Sequence, residues 1–299
     1  MSANLVVPDA SVSAATLEER LERGEVVHFP ACPFALPEGD DRQFLLAQTL
    51  ASRAHKNISL DPRSGRAGGY KKHTPEQAER LQKMLAEFSQ TATAWLSATL
   101  PSYARGWRLD QVSFRPEEEA TRRLRQKARN DLLHVDAFPS RPTKGWRILR
   151  LFANVNLTEP RIWVTSEPFA KLLEIHGSAA GLPTGQGAPL LKQIQSGVIR
   201  LFRPGRAQRT IYDEFMLRFH DYLKLNEIFQ EQTPKKLWKF QPGSAWMVFT
   251  DTASHAALRG RFALEHSYFV APESLHLPDE SPAALLARAC GLQVLRRAA

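Results

Sequence analysis

Apolar and polar residues along this chain change period from one stretch to the next. Between residues 74 and 99 the apolar positions recur at helical spacing through Leu81, Met84, Leu85, Phe88, Ala92 and Leu96. That stripe predicts one long amphipathic helix. Thr74 is suited to cap it and Pro75 to begin it. Shorter helices are predicted over "ATLEERLERG", ending at Gly24, and over residues 41–56, with a strand from "EVVHFPACPF" between them. "DPRSGRAGG" reads as a Gly- and Arg-rich loop.

From residue 106 the texture turns to β. "WRLDQVSFRP" predicts a strand, "PEEEATRRLRQKARN" a charged connection, "LLHVDAF" a second strand and "WRILRLFANVNL" a third. Residues 165–235 return to helix around "EPFAKLLEIHG" and "TIYDEFMLRFHDYLKLNEIF". The stretch "KLWKFQPGSAWMVFTDTASHAALRGRFALEHSYFV" is β again, with a Pro-Gly turn and a hairpin around Arg259 and Gly260. "SPAALLARACGLQVLRR" closes the chain as a helix.

The expectation is a single α+β domain over residues 1–299. It divides into a helical and β buttress (1–105), a first β block (106–164), a mostly helical insertion (165–235), a second β block (236–270) and a C-terminal helix (271–299). Short strands in two blocks describe two packed sheets, a sandwich or jelly roll with flanking helices. The order is not an alternating βαβ pattern and holds no Gly-rich phosphate loop, which argues against dinucleotide and P-loop folds.

Composition adds three limits. With 43% hydrophobic and 24% charged residues the chain is an ordinary globular sequence. No apolar run approaches the roughly 20 residues of a membrane span, and the N-terminus lacks the basic and apolar regions of a secretory signal. Cys32 and Cys290 stand far apart in no metal-ligand spacing. The expected location is therefore the cytoplasm, a reducing compartment. The net charge of +9 suggests an anionic partner: nucleic acid, an anionic membrane surface or a phosphorylated substrate. Nucleic acid is not expected, because the basic residues are not interleaved with aromatics in a recognisable binding module. The run Arg122, Arg123, Arg125, Lys127 and Arg129, and the run Glu117, Glu118 and Glu119, read as solvated segments.

The chemistry starts in "LLHVDAF". On a strand His134 and Asp136 point to the same face, because side chains alternate with a period of two. His255, in the second β block, supplies another imidazole. Two histidines and one carboxylate make the facial triad of non-haem iron(II) oxygenases, which leaves positions open for a co-substrate and dioxygen. Arg261 follows at the start of "RFALEHSYF". A guanidinium there suits the far carboxylate of 2-oxoglutarate, which its planar fork matches.

At these residues the sequence resembles the iron(II)/2-oxoglutarate-dependent dioxygenases, and more narrowly the 3-deoxy-D-manno-octulosonic acid (Kdo) hydroxylases. The segments "NDLLHVDAFPSRPTKGWRILRLFANVN", "EPRIW" and "FTDTASHAALRGRFALEHSYF" carry the likeness. It implies a double-stranded β-helix (jelly roll) core, with Fe(II) on His134, Asp136 and His255. The implied reaction is hydroxylation of Kdo at C3, within a Kdo-bearing lipid A of lipopolysaccharide, with 2-oxoglutarate decarboxylated to succinate and dioxygen consumed. The implied place is the cytoplasmic face of the inner membrane, with peripheral contact to its anionic surface.

Spacing leaves the arginine open. Only residues 256–260 separate His255 from Arg261, fewer than is usual in that superfamily, and position 266 is a histidine. A three-residue turn would put Arg261 on the same face as His255, and a two-residue turn on the opposite face. Arg259 and Arg150 are alternatives for 2-oxoglutarate. Arg150 shares a strand face with Trp146, Ile148 and Phe152, where an unpaired cation would be costly. Arg115, Arg150, Arg161 and Trp163 are candidates for the sugar acid: guanidiniums for its carboxylate and an indole for its ring. His28, His55, His73, His176, His220 and His276 read as structural, and His266 as a weak pocket candidate. Two other classes stay open: a cupin-like metal-dependent sugar-binding or isomerase protein, and a basic nucleic-acid-binding protein.

Overall fold

A computed structural model describes residues 12–52, 55–182 and 208–291. The chain opens with helix α1 (Ala14–Glu22), strand β1 (Val27–Phe29), helix α2 (Gly39–Leu46) and the short strands β2 (Ile58–Leu60) and β3 (Ala67–Gly68). Helices α3 (Pro75–Thr99) and α4 (Pro101–Ala104) lead to β4 (Arg108–Arg115), β5 (Arg147–Asn154) and β6 (Arg161–Pro168). Three helices follow: α5 (Phe169–His176), α6 (Ile211–Leu225) and α7 (Glu227–Gln232). The strands β7 (Lys236–Phe240), β8 (Ala245–Phe249), β9 (Ala253–Arg259) and β10 (Ala263–Val270) precede α8 (Pro282–Ala289).

The strands form two antiparallel sheets. The larger runs β1-β8-β5-β10-β4-β2-β3 and the smaller β7-β6-β9. Both β blocks feed both sheets, as a jelly roll requires. The period of two then sorts every strand. On β5, Leu149, Leu151 and Ala153 join Met247 and Phe249 of β8 and Val112 and Phe114 of β4 in the core beneath α3. That helix contributes Leu81, Leu85, Phe88, Ala92 and Leu96. Burying each large side chain stabilises the fold by about 1.5–3 kcal/mol. The other parity, with Phe152, Trp246 and Val248, turns inward to meet Trp163, Trp238 and Phe240 of the small sheet. The helical insertion covers the outer side of the small sheet through Phe169, Leu172, Phe215 and Phe219.

The capping signal at Thr74 is realised. Its hydroxyl accepts the Gln77 N–H at 3.3 Å, and Gln77 Oε1 accepts the Thr74 N–H at 3.2 Å.

Several expected boundaries differ. The helix expected over 41–56 ends at Leu46. Beyond it Ala51 donates to Gly69 O at 2.9 Å and Lys71 donates to Thr49 O at 2.9 Å, so strand-like pairing takes the backbone groups a helix would use. The expected loop "DPRSGRAGG" contains β3, whose Ala67 and Gly68 pair with Leu60 and Ser59 of β2. "EVVHFPACPF" keeps only three strand residues, because Pro30 brings no N–H to the ladder. "LLHVDAF" makes a single bridge, between His134 and His255, rather than a full strand. The third sheet strand of the first block runs on to Pro168, so the insertion begins at Phe169 rather than at 165. The end of the expected C-terminal helix and residues 183–207 of the insertion lie outside the described residues.

One buried ion pair braces the turn between β8 and β9. Arg147 and Asp251 are both 0% exposed, and Arg147 Nε donates to Asp251 Oδ2 at 2.8 Å. Arg147 also donates to Thr252 Oγ1, and its guanidinium lies 4.2 Å from the centre of the Phe249 ring. Asp251→Ala leaves the guanidinium buried without its anion. It should lower the free energy of unfolding by about 3–5 kcal/mol, read from the urea midpoint of the variant against the parent.

Candidate metal centre

His134 and His255 face each other across a narrow backbone bridge. His134 N–H donates to His255 O at 3.1 Å, and His255 N–H donates to His134 O at 2.9 Å. Residues opposed in this way present their side chains on one face. Asp136, two residues on, shares that face, and its N–H donates to Thr250 O at 2.8 Å. All three residues are buried, and one donor atom from each lies within 4.8 Å of the others.

The hydrogen bonds fix the imidazole tautomers. His134 Nδ1 contacts Leu132 O at 2.7 Å and His255 Nδ1 contacts Ala253 O at 3.0 Å. A carbonyl only accepts, so each Nδ1 carries the proton and each Nε2 presents a lone pair. Burial pushes both imidazoles below their usual range, which keeps them neutral. Burial alone would raise the Asp136 carboxyl, but Arg150 and the contact with His134 override it and hold the group well below the usual range. Two neutral imidazole nitrogens and one carboxylate oxygen fit a divalent transition metal such as iron(II).

Arg150 Nη2 lies 3.0 Å from Asp136 Oδ2, in ion-pair contact but too skewed for a hydrogen bond, while Asp136 Oδ1 lies 3.5 Å from His134 Nε2. With Oδ2 engaged by Arg150, Oδ1 is the oxygen that lies toward His134 Nε2. Arg150 Nη1 reaches Glu265 Oε1 at 2.9 Å, and Glu265 Oε2 lies 2.6 Å from Arg115 Nη2. Arg115 Nη1 is 3.8 Å from Glu119 Oε1, which accepts from Arg161 Nη2 at 3.0 Å. Asp136, Arg150, Glu265, Arg115, Glu119 and Arg161 thus form a buried row of alternating charge. Burial alone would raise Glu265, yet Arg115 and Arg150 hold it below the usual range.

Asp136, Arg150, Glu265, Arg115 and Arg161 line a cavity of about 760 Å³, and Glu119 stands behind Arg115 and Arg161. Strand parity puts Ser113 and Arg115 of β4, Arg150 and Phe152 of β5, and Glu265 and Ser267 of β10 on its wall, opposite Arg161 and Trp163 of β6. The Trp163 indole stacks on the His255 ring, 5.2 Å between centroids and 20° between planes.

Of the arginines expected at 2-oxoglutarate, Arg150 lines the cavity; Arg261 and Arg259 do not. Both of the latter are exposed. Arg261 sits in the turn itself, outside either strand's alternation, between Gly260 (φ +117°) and Phe262 (φ +61°). Its Nε donates to Pro116 O at 3.2 Å and its guanidinium lies over the Phe262 ring. Arg115, Arg161 and Trp163 all line the cavity, and Arg161, the first residue of β6, is buried.

Other expectations need correction. Glu119, expected in a solvated loop, is 5% exposed and bonded to Arg161. Arg122, expected in a solvated run, donates to the carbonyls of Lys56 and His55, while Arg125 and Lys127 of the same run are exposed as expected and also line the cavity. His220, expected to be structural, also lines the cavity, edge-on to His134 at 4.9 Å. Burial and then Lys224 bring its imidazole down to about 4. His266 turns to the other side of β10, where it contacts the Tyr268 hydroxyl at 2.6 Å. Sequence reasoning missed Glu265 and Lys224. The only signal was a charge at an inward strand position in one case and on the packed side of a helix in the other.

Removing Arg150 should loosen the ligand set without deleting a ligand. Arg150→Met is expected to weaken cobalt(II) binding by about 10–100-fold, measured by calorimetric titration.

A family model described as 3-deoxy-D-manno-oct-2-ulosonic acid (Kdo) hydroxylase matches residues 8–293. Among solved structures, the chain is similar to the Kdo hydroxylase KdoO, a non-heme Fe(II) alphaketoglutarate-dependent dioxygenase, in complex with alphaketoglutarate and Fe(III). The identity is 32%, the match covers 97% of each chain, and the TM-score is 0.84. The cobalt(II) complex of KdoO matches at 31% identity over 99% of this chain and 98% of that one, with a TM-score of 0.84. Its succinate and Fe(III) complex matches at 30% identity over 99% and 98%, with a TM-score of 0.81. No curated protein matches the chain.

Proposed function

The chain belongs to the Kdo hydroxylase family, and from that premise we propose that it hydroxylates C3 of Kdo in a Kdo-bearing lipid A, with His134, Asp136 and His255 holding iron(II). The observation that carries the reading is the convergence of those three buried donors at the wall of a large cavity, in a chain that matches the family over residues 8–293. When bound, iron(II) with 2-oxoglutarate supplies the oxidative chemistry: one oxygen atom of O₂ goes to succinate as CO₂ leaves, and the other converts a C–H to C–OH.

The protein's own residues do the remainder. The two Nδ1–H bonds to backbone carbonyls hold both imidazoles with Nε2 toward the metal. Arg150 occupies Asp136 Oδ2, so the carboxylate donates through one oxygen and coordination positions stay open. The far carboxylate of 2-oxoglutarate falls to Arg150 and Arg161, each of which keeps a buried Nε–H without an acceptor among the described residues. Trp163, fixed against His255, offers an aromatic face and an unpartnered indole N–H within the same cavity. Arg115 carries charge between Glu265 and Glu119 and supports Arg150 through Glu265.

Among the described residues no helix is long and apolar enough to cross a membrane. A lipid-borne, phosphorylated substrate would meet the protein at an anionic inner-membrane surface, and the net charge of +9 supports such peripheral contact.

Anaerobic addition of iron(II) and 2-oxoglutarate should give a weak visible charge-transfer band, absent in His134→Ala and Asp136→Ala. With oxygen and Kdo-lipid A, succinate and hydroxylated sugar should then form in equal amounts. A parent protein with no band and no Kdo-dependent succinate would count against the reading.

A further inference from the structure

Two lysines line the cavity with no carboxylate in contact. Lys224, in α6, is 1% exposed; Lys56, just ahead of β2, is half-buried. Both line the cavity with His134 and Asp136. Lys224 Nζ donates to Lys127 O at 3.2 Å, and Lys56 Nζ reaches Asn130 Oδ1 at 3.4 Å. An ammonium carries three N–H donors, so each has donors to spare. Among the described residues no carboxylate oxygen lies within 4.0 Å of either nitrogen.

Of the other cations lining the cavity, Lys127 Nζ is 2.7 Å from Asp221 Oδ2, Arg141 pairs with Asp110, and Arg115, Arg150 and Arg161 are bound into the charged row; Arg125 is exposed to water and Arg209 donates to Pro139 O. A buried ammonium without an anion is costly, and such a cost persists where a ligand's charge offsets it. Burial first, then Arg115 beside Lys56 and Lys56 beside Lys224, brings both ammonium groups down to about 8. Two cations that line one cavity with N–H donors to spare offer an anionic ligand charge-assisted hydrogen bonds from two sides of the chain's fold.

We propose that Lys56 and Lys224 form a carboxylate-binding subsite beside the metal centre, and that the sugar acid's carboxylate fills it. The assignment rests on the Kdo reading above. It gives the substrate an anchor from outside the two sheets, one lysine from the segment ahead of β2 and the other from the helical insertion. 2-Oxoglutarate also brings a carboxylate, so the experiment is arranged to separate the two sources.

The full chain is loaded with cobalt(II) and titrated calorimetrically, first with 2-oxoglutarate and then with Kdo. The parent should bind both. Lys224→Met and Lys56→Met should each weaken Kdo by about ten-fold or more while changing 2-oxoglutarate by less than about two-fold. Lys224→Arg should keep most of the affinity, and Kdo methyl ester should bind the parent as weakly as the acid binds the Met variants. Thermal melts establish that the variants fold, and because the lysines lie on separate elements either variant alone suffices. Unchanged Kdo affinity in a folded Met variant overturns the subsite. Loss of 2-oxoglutarate affinity with Kdo unchanged overturns its assignment to the sugar acid. A parent that binds 2-oxoglutarate but not Kdo overturns the substrate reading and this assignment with it, a result distinct from the other two.

Discussion

Between the two sheets, six ionised side chains stand in a row where water is largely excluded: Asp136, Arg150, Glu265, Arg115, Glu119 and Arg161. None of them could remain there alone. Each guanidinium offsets the desolvation of the carboxylate beside it, and the row sums to zero charge. The constraint reaches the metal centre directly, because its first member is the carboxylate of the donor set. It also reaches the chain's topology, since the six residues come from the bridge segment, β5, β10, β4, the connection after β4 and β6. A jelly roll brings such remote segments together, and here the electrostatics require all of them at once.

Around that polar row the structure keeps its apolar surfaces in separate layers. One parity of the large sheet faces α3, the other faces the cavity and the aromatic cluster of Phe152, Trp163, Trp238, Phe240 and Trp246. The insertion helices pack on the far side of the small sheet. Helices therefore close the outer faces while the space between the sheets is left for charge and ligand. The orientation of the His134 and His255 imidazoles depends on this rigidity, because the Nδ1 partner of each is a carbonyl of its own segment.

Much of this was readable in the chain. The α3 stripe, its cap, the two β blocks and the shared face of His134 and Asp136 follow local periodicity, and periodicity survives folding. So does the parity of β5, which set Arg150 beside Phe152. His255 was legible only through the chemistry of a three-donor set. What local pattern does not carry is which remote charge meets which. Glu119 looked like one of three solvated acids, but it folds back onto Arg161. Glu265, which the sequence did not single out, joins two arginines. The early helix was read too long because the partners of Thr49 and Ala51 lie twenty residues downstream, at Lys71 and Gly69. Arg261 was judged by strand alternation, a rule that stops applying inside a turn.

That turn joins the strand bearing His255 to the strand bearing Glu265. Gly260 is held against β6: a Cβ there would come within 2.9 Å of Arg161 Cα, and its carbonyl accepts from Arg161 Nη1. Phe262 is tied on both sides, donating to Arg115 O and accepting from Val155 N. The connection is thus fixed in length as well as in shape. Because strand faces alternate residue by residue, a single insertion between 259 and 263 would exchange the two sides of β10. Leu264 and His266 would then occupy the interior, and Glu265 would be forced among the apolar side chains under α3. The hairpin works as a phase setting for the domain, and natural variation in the length of the chain is best accommodated elsewhere.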